Sequence, residues 1–249
     1  MLATLAGCND SAPAGQAVET GPARTDSPAQ PQQQPAPQPP AREPESSPAE
    51  DSAAGARDER QSIVFVGTSL TAGYGIGAQY AYPALIQAKI DSAGLQFRVV
   101  NAGISGETSA GGLARIDWTL QRKVDVLAIE LGANDMLRGL SVEQLEQNLR
   151  KIIDRTRDKY PEADIVILGM EAAPNLGPAY ATAFRGVYRR LADEYDAAYV
   201  PFLLDGVATV PELNQEDGIH PTAEGQRIIA GTVWKELEPV LRKRARRRA

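Results

Sequence analysis

From Ile63 onward the chain alternates short, apolar, β-branched runs with longer segments whose apolar residues recur at helical spacing. The strand-like runs are Ile63–Val66, Phe97–Val100, Val124–Leu131, Ile165–Met170 and Ala198–Phe202. Strands that are apolar on both faces are typical of a parallel sheet covered by helices on both sides. The pattern therefore predicts an α/β fold, in which right-handed βαβ units form a three-layer α/β/α sandwich around one sheet of five mainly parallel strands.

Helical segments are predicted between these runs. The stretch Ser141–Gln144 (SVEQ) has the form of a capping box, and the apolar residues after it recur at helical spacing. Similar spacing predicts helices over Tyr82–Ile90, Ser109–Leu120 and Tyr180–Tyr195, and a last helix that opens at Thr222. In sheets of this kind ligands bind at the carboxyl ends of the strands, so we expect the functional residues just after each strand.

Composition sets the limits of the folded part. No aromatic residue occurs between Met1 and Ser62, and ten of the 18 prolines of the chain lie there. A segment so poor in apolar side chains cannot offset the entropy cost of ordering, so we predict a disordered Pro-, Gln- and Ala-rich tether over residues 9–61. The folded domain is then expected over residues 62–241, which is long enough for a single core.

The C-terminal residues 242–249 are described as a basic tail, because six of the seven residues from Arg242 to Arg248 are basic. Such a tail either contacts anionic lipid headgroups or is simply solvated. The whole chain has a formal net charge of −6, which argues against a nucleic-acid partner. No feature of the sequence indicates an obligate assembly, so we expect a monomer.

Cys8 is the only cysteine, which excludes an intramolecular disulfide and a cysteine-rich metal site. The stretch Leu5–Cys8 (LAGC) resembles a bacterial lipobox, in which the cysteine is lipidated and becomes the new N-terminus. Residues 1–8 would then be the remnant of a lipoprotein signal, and the expected location is the periplasm-facing side of the bacterial cell envelope. The alternative is a chance match in an unstructured segment, and the protein is then expected to be soluble in the periplasm.

Ser69 follows the first predicted strand, inside the glycine-rich segment Gly67–Gly75 (GTSLTAGYG). It is a candidate nucleophile, a candidate phosphate-binding hydroxyl, or a helix-capping serine. The segment is not a Gly-x-Ser-x-Gly elbow, because Thr71 takes the place of the last glycine. It is not a Walker loop either, because no Gly-Lys-Ser/Thr follows.

Two further blocks follow the second and third strands. Gly106, in Asn101–Thr108 (NAGISGET), could present its backbone N–H to a developing oxyanion. Asn134, in Gly132–Asp135 (GAND), could add a side-chain amide donor. Taken singly, each block is equally consistent with an ordinary turn or helix cap.

His220, in Asp217–Pro221 (DGIHP), is the only histidine of the chain and thus the only candidate for a histidine base. Asp217 lies three residues earlier, and the Asp-Gly pair favours a turn that would bring the two side chains together. Pro221 holds His220 in an extended conformation on a loop before the last helix. The carboxylate could then fix the imidazole tautomer, although a surface histidine is the alternative.

Together the four blocks resemble the SGNH or GDSL-like hydrolase superfamily, and within it the bacterial thioesterase I/lysophospholipase/arylesterase group. The resemblance covers about Ile63 to Leu241 and implies the SGNH hydrolase fold. It implies Ser69 as nucleophile, His220 as base and Asp217 as the residue that orients it. The oxyanion hole that it implies is formed by Ser69, Gly106 and Asn134. Ser69 and Gly106 would donate their backbone N–H groups, and Asn134 its side-chain amide. The residues expected from loop position and resemblance to contact substrate are Met136, Leu137, Leu176 and Tyr180.

The activity implied is cleavage of an acyl ester, thioester or lysophospholipid through an acyl-enzyme, with no metal or organic cofactor. One position departs from the usual Gly-Asp-Ser of the first block, because Thr68 replaces the acid. Since that acid is not the triad carboxylate, we expect activity to persist. A histidine base must be neutral, so the rate is expected to rise with pH through an ionisation near neutrality.

The alternative function is a non-catalytic, flavodoxin-like ligand-binding lipoprotein in which Gly67–Gly75 wraps a phosphate. That reading explains the sheet and the glycines, but it gives Asp217 and His220 no role.

Overall fold

The structure is a computed structural model that describes residues 60–248. Five strands form one sheet: β1 (Gln61–Gly67), β2 (Phe97–Gly103), β3 (Val126–Glu130), β4 (Asp164–Leu168) and β5 (Ala198–Val200). Their order is β2-β1-β3-β4-β5, and every neighbouring pair is parallel. The predicted α/β architecture with a five-stranded parallel sheet is confirmed.

Seven α-helices connect and cover the strands. Their bounds are α1 (Ser69–Ala72), α2 (Tyr82–Ser92), α3 (Ser109–Thr119), α4 (Ala133–Leu137), α5 (Val142–Lys159), α6 (Pro178–Tyr195) and α7 (Ala223–Arg248). Helices α2 and α7 pack together, while α3 packs on α5 and α5 packs on α6. No helix among residues 60–248 is both long and apolar enough to cross a bilayer.

The strand order places the site. From β1 the chain crosses to β2 in one direction along the strand order, whereas from β3 it crosses to β4 in the opposite direction. The carboxyl ends of β1 and β3 therefore flank a topological switch point, where open α/β sheets bind their ligands. Strand β1 is buried along its whole length, so it carries the segment that follows it into the middle of this edge.

Some predicted bounds differ from the observed ones for local reasons. Strand β5 ends at Val200, because Pro201 has no N–H for a sheet hydrogen bond. Helix α6 begins at Pro178 rather than Tyr180, since proline is well suited to the first turn of a helix. Ser141 caps α5 as predicted, and its hydroxyl accepts from the N–H of Gln144 at 3.2 Å.

The predicted basic tail differs most, because residues 242–248 continue α7. Arg244 explains this: its guanidinium donates to Asp125 at 3.1 Å, to Asp164 at 2.8 Å and to the side-chain oxygen of Gln61 at 2.7 Å. These partners lie at the amino-terminal edge of the sheet, so α7 is attached there rather than frayed. The predictions for Cys8 and for residues 9–59 lie outside the described residues.

Candidate active site

Ser69, His220 and Asp217 form a continuous chain of hydrogen bonds at the carboxyl edge of the sheet. His220 Nε2 lies 3.0 Å from Ser69 Oγ, and His220 Nδ1 lies 2.6 Å from Asp217 Oδ2. A carboxylate only accepts, so Nδ1 carries the proton, which leaves the lone pair of Nε2 facing the serine hydroxyl. This is the arrangement in which imidazole can remove the serine proton.

The loop that carries Asp217 and His220 is closed at both ends. Asn214 forms an antiparallel bridge with Pro221, and the N–H of Gln215 donates to the His220 carbonyl at 2.7 Å. The Gln215 side-chain amide also donates to the carbonyls of Tyr74 and Pro221, at 2.8 and 3.0 Å. Gln215 thus joins the histidine loop to the segment after the nucleophile.

Asp217 is bound by its own loop. Its Oδ1 accepts from the N–H groups of Ile219 and His220, both at 2.9 Å. The backbone N–H of His220, then its side chain and the N–H of Ile219, lower the pKa of Asp217 to about 2. Asp217 is therefore ionised at every pH at which a histidine base could work.

A buried carboxylate holds the turn that carries Ser69. Glu130, at the end of β3, is fully buried, and its oxygens accept from the N–H of Thr68 at 2.7 Å and from the Thr68 and Thr71 hydroxyls at 2.8–3.0 Å. A Cβ on Gly67 would lie 2.7 Å from Glu130 Oε2, so glycine is required for this close approach. Burial raises the pKa of Glu130 to about 7, although the donated hydrogen bonds oppose the rise.

Gly106 lies in a tight turn after β2. The N–H of Glu107 donates to the carbonyl of Ile104 at 3.2 Å, and Gly106 has φ +78°, a value that favours glycine. Arg138 donates to the Gly106 carbonyl at 2.7 Å, and Arg115 pairs with Glu107 from α3. The two arginines therefore hold the turn in place.

Asn134 lies in the first turn of α4 and reaches the same turn. Its side-chain amide donates to the Glu107 carbonyl at 3.0 Å, and its second N–H is available to a ligand. Ser69 is the first residue of α1, so its backbone N–H has no partner within that helix. The predicted oxyanion donors of Ser69, Gly106 and Asn134 all border the same cavity.

That cavity has a volume of about 1030 Å³ and also contains His220 in its wall. Much of its lining is apolar and includes Leu70, Met136, Leu137, Met170, Phe202, Leu204 and Ile219. Three of the large hydrophobic side chains that line it are exposed to solvent: Tyr74 is 53%, Leu137 59% and Ile219 52% exposed. The cavity can therefore accept an apolar group beside the serine.

The four predicted substrate contacts divide into two pairs. Met136 and Leu137 line the cavity. Leu176 and Tyr180 are not among its lining residues: Leu176 is 38% exposed, and the Tyr180 ring stacks on Phe184 with the ring centroids 6.0 Å apart. They lie after β4, and the part of that segment that reaches the cavity is Met170–Ala173.

Sequence reasoning did not single out four residues that support the site, namely Tyr74, Glu130, Arg138 and Gln215. The Tyr74 ring packs against the His220 imidazole with the centroids 4.5 Å apart. Only Glu130 had a visible signal, because a charged residue inside an apolar strand run must find buried partners.

The same buried carboxylate argues against the phosphate-binding alternative. The N–H and hydroxyl of Thr68, which a phosphate would need, already donate to Glu130. A second anion beside that carboxylate would be repelled once Glu130 is ionised.

Comparison with known proteins gives a consistent result. The model of the GDSL-like lipase/acylhydrolase family matches residues 65–228. Esterase TesA of Pseudomonas aeruginosa is 42% identical over 182 residues, which are 73% of this chain and 90% of that protein. Thioesterase 1/protease 1/lysophospholipase L1 of Escherichia coli is 39% identical over 181 residues, which are 72% of this chain and 85% of that protein.

The fold is similar to that of solved structures as well. A crystal structure of TesA superposes with a TM-score of 0.69 at 42% sequence identity, covering 72% of this chain and 99% of that one.

Proposed function

This chain belongs to the GDSL-like lipase/acylhydrolase family and is an ester-cleaving serine hydrolase, and we propose that Ser69, His220 and Asp217 carry its reaction on esters and thioesters with apolar acyl groups. The observation that carries the proposal is the hydrogen-bonded chain of these three residues in the wall of a largely apolar cavity. No metal or organic cofactor takes part in the proposed reaction.

In the first half-reaction, Ser69 Oγ attacks the acyl carbonyl carbon while His220 Nε2 takes the hydroxyl proton. The negative charge that develops on the carbonyl oxygen is stabilised by the N–H groups of Ser69 and Gly106 and by the Asn134 amide. Each such donor contributes roughly 3 kcal/mol to the transition state. The bond to the leaving alcohol or thiol then breaks, and His220 returns its proton to the leaving group.

In the second half-reaction, water attacks the acyl group now bound to Ser69. His220 takes a proton from the water, and the same three donors hold the second oxyanion. The ester bond to Ser69 breaks, the serine oxygen recovers its proton from His220, and the carboxylic acid leaves. Asp217 stays ionised throughout and stabilises the imidazolium in both halves.

The apolar lining supports an acyl chain rather than a polar acid as the group bound in the cavity. The names of the two relatives include esterase, thioesterase and lysophospholipase, and the triad chemistry applies equally to all three bonds. We therefore include aryl esters, acyl thioesters such as acyl-CoA, and lysophospholipids in the proposed substrate class.

The test is hydrolysis of p-nitrophenyl acyl esters of increasing chain length by the full chain and by Ser69→Ala, with Ser92→Ala as the matched control. Ser92 is an exposed serine at the end of α2, and its hydroxyl donates to the Ala88 carbonyl. We expect Ser69→Ala to lose more than a thousandfold in kcat and Ser92→Ala to keep wild-type rates. Equal rates in wild type and Ser69→Ala would refute the proposed nucleophile.

We also propose that the protein is a lipoprotein of the bacterial cell envelope, anchored through Cys8. The support is the Leu5–Cys8 motif followed by a Pro-rich segment. Expressed in a Gram-negative host, the full chain should fractionate with membranes and Cys8→Ser should not. Identical fractionation of the two would contradict the anchor.

A further inference from the structure

The turn that carries Ser69 is held by a single carboxylate that takes no part in the proposed reaction. Thr68 and Thr71, the residues on either side of Ser69-Leu70, both donate to Glu130. The hydrogen bonds given for Glu130 come from these two threonines and not from Ser69. Glu130 acts on the nucleophile only through the backbone and hydroxyls of its neighbours.

The groups that hydrogen-bond Glu130 are one N–H, which can only donate, and two threonine hydroxyls, which donate to the carboxylate when it is ionised. The Thr68 N–H is a donor whatever its surroundings, and it points at Oε2 at 2.7 Å. The Thr71 hydroxyl donates to the same oxygen at 2.8 Å and lies 2.7 Å from the Tyr82 hydroxyl, which must then donate to Thr71. An ionised carboxylate satisfies all of these donors, whereas a protonated one brings a hydrogen of its own into a fully buried site.

The two phenols whose pKa values respond to the charge of Glu130 lie on α2 and α6. Burial, followed by the charge of Glu130, raises the pKa of the Tyr82 phenol. Burial, followed by the charges of Asp135 and Glu130, raises the pKa of Tyr188, whose hydroxyl donates to the Leu131 carbonyl at 3.0 Å. Both phenols stay neutral while Glu130 titrates. Asp135, on α4, is bound by the N–H and hydroxyl of Ser109.

We propose that Glu130 is a positioning residue: its ionised carboxylate holds the turn that carries Ser69, and hydrolysis depends on Glu130 having lost its proton. Protonation of Glu130 forces at least one threonine hydroxyl to turn its hydrogen away from the carboxyl group. The turn is then held less firmly, and Ser69 Oγ is no longer aligned with His220 Nε2. A misplacement of about 1 Å can lower a rate roughly a hundredfold. The inference rests on the proposed role of Ser69 as nucleophile.

The consequence is two activating ionisations on the acid side of the pH profile. One is loss of the proton from the histidine base, and the other is loss of the proton from Glu130, whose pKa is about 7. When both must occur, the slope of log kcat against pH approaches 2 at acid pH instead of 1. One pH unit below a pKa of about 7, roughly a tenth of Glu130 is ionised.

The experiment measures kcat and KM from pH 5 to 9 for the full chain, Glu130→Gln and Thr68→Val on one p-nitrophenyl ester. In Glu130→Gln the amide oxygen can still accept from the Thr68 N–H, but no proton is lost, so we expect the slope to fall from about 2 to about 1. The ratio of kcat at pH 6 to kcat at pH 8 should rise about tenfold, with KM little changed. A purely structural role would lower the rate at every pH without changing the slope.

The pH profile of Thr68→Val is a second, independent test. Valine keeps the shape of threonine but removes one hydroxyl donor, so the ionised form of Glu130 is less stabilised and its pKa rises. We expect the midpoint of the acid limb to move upward by about half a unit or more in Thr68→Val.

The outcomes separate the two proposals. A wild-type slope in folded Glu130→Gln overturns the inference, and if Glu130→Gln does not fold, an unmoved midpoint in Thr68→Val overturns it. Either result leaves the nucleophile intact if Ser69→Ala is inactive. Activity in Ser69→Ala refutes the proposed function itself.

Discussion

At the scale of single residues, two carboxylates near Ser69 meet opposite surroundings. Asp217 is partly exposed and receives two backbone N–H groups and the imidazole, which lower its pKa to about 2. Glu130 is fully buried, and burial raises its pKa to about 7 in spite of its donors. The first carboxylate is therefore always charged in the working range of the enzyme, and the second gains its charge within that range.

Replacement of Asp217 by Asn tests whether the charge of this carboxylate is needed for the reaction. The amide keeps the size of the side chain but favours the wrong imidazole tautomer and no longer stabilises the imidazolium. We expect kcat to fall by roughly 10²–10⁴ while KM changes little, as measured on the same p-nitrophenyl esters. A loss of less than threefold would mean that the loop backbone alone orients His220.

The sequence was informative about the residues that we propose to react and less so about those that support them. The single histidine left one candidate for a histidine base, with Asp217 three residues earlier, and the structure brings this pair to Ser69. Gly106 and Asn134 needed the family resemblance, because an oxyanion donor and a turn residue look alike in sequence. Tyr74 and Gln215 could not be found, since the contacts of Tyr74 with Gln215 and His220 span about 140 residues.

At the scale of elements, the last helix does more than cover the sheet. Arg244 is mostly buried and joins Asp125, which precedes β3, to Asp164, the first residue of β4. The run of arginines looks like a solvated tail in sequence because its acidic partners lie about 80 and 119 residues away. The strands, by contrast, were predictable, because burial on both faces leaves a continuous apolar run.

Replacement of Arg244 by Ala should expose the importance of this contact. The change leaves the buried Asp125 carboxylate without its guanidinium, so we expect the free energy of unfolding to fall by about 3 kcal/mol in urea denaturation. Arg246→Ala is the matched control, because Arg246 is an exposed residue of the same helix, and its effect should stay within about 0.5 kcal/mol. Because Arg244 lies at the edge away from the cavity, kcat should be unchanged; equal stabilities of the two variants would contradict the contact.

At the scale of the whole molecule, Glu130 links stability to pH in the direction opposite to activity. Its pKa is about 7 in the folded protein against an ordinary 4.5, so the folded state holds this proton more tightly than the unfolded state. The stabilisation is complete below pH 4.5 and is lost as pH rises to about 7. A gap of this size corresponds to a loss on the order of 3 kcal/mol.

Chemical denaturation at several pH values measures this loss. The difference in the free energy of unfolding between Glu130→Gln and wild type should increase in favour of the variant from pH 4.5 to 7 and then level off. Asp125, whose pKa is lowered in spite of its burial, changes in the opposite direction but is common to both proteins and cancels. A difference that does not vary with pH would show that Glu130 titrates alike in both states.

The contact between Arg244 and Gln61 brings the start of β1 and the last turns of α7 to one edge of the sheet, while the cavity opens at the other. Fusion partners, beads or electrodes joined through the last turns of α7 would hold the folded domain with its entrance turned outward. A layer of immobilised molecules would then meet incoming ester from the bulk phase without steric shielding by its own support.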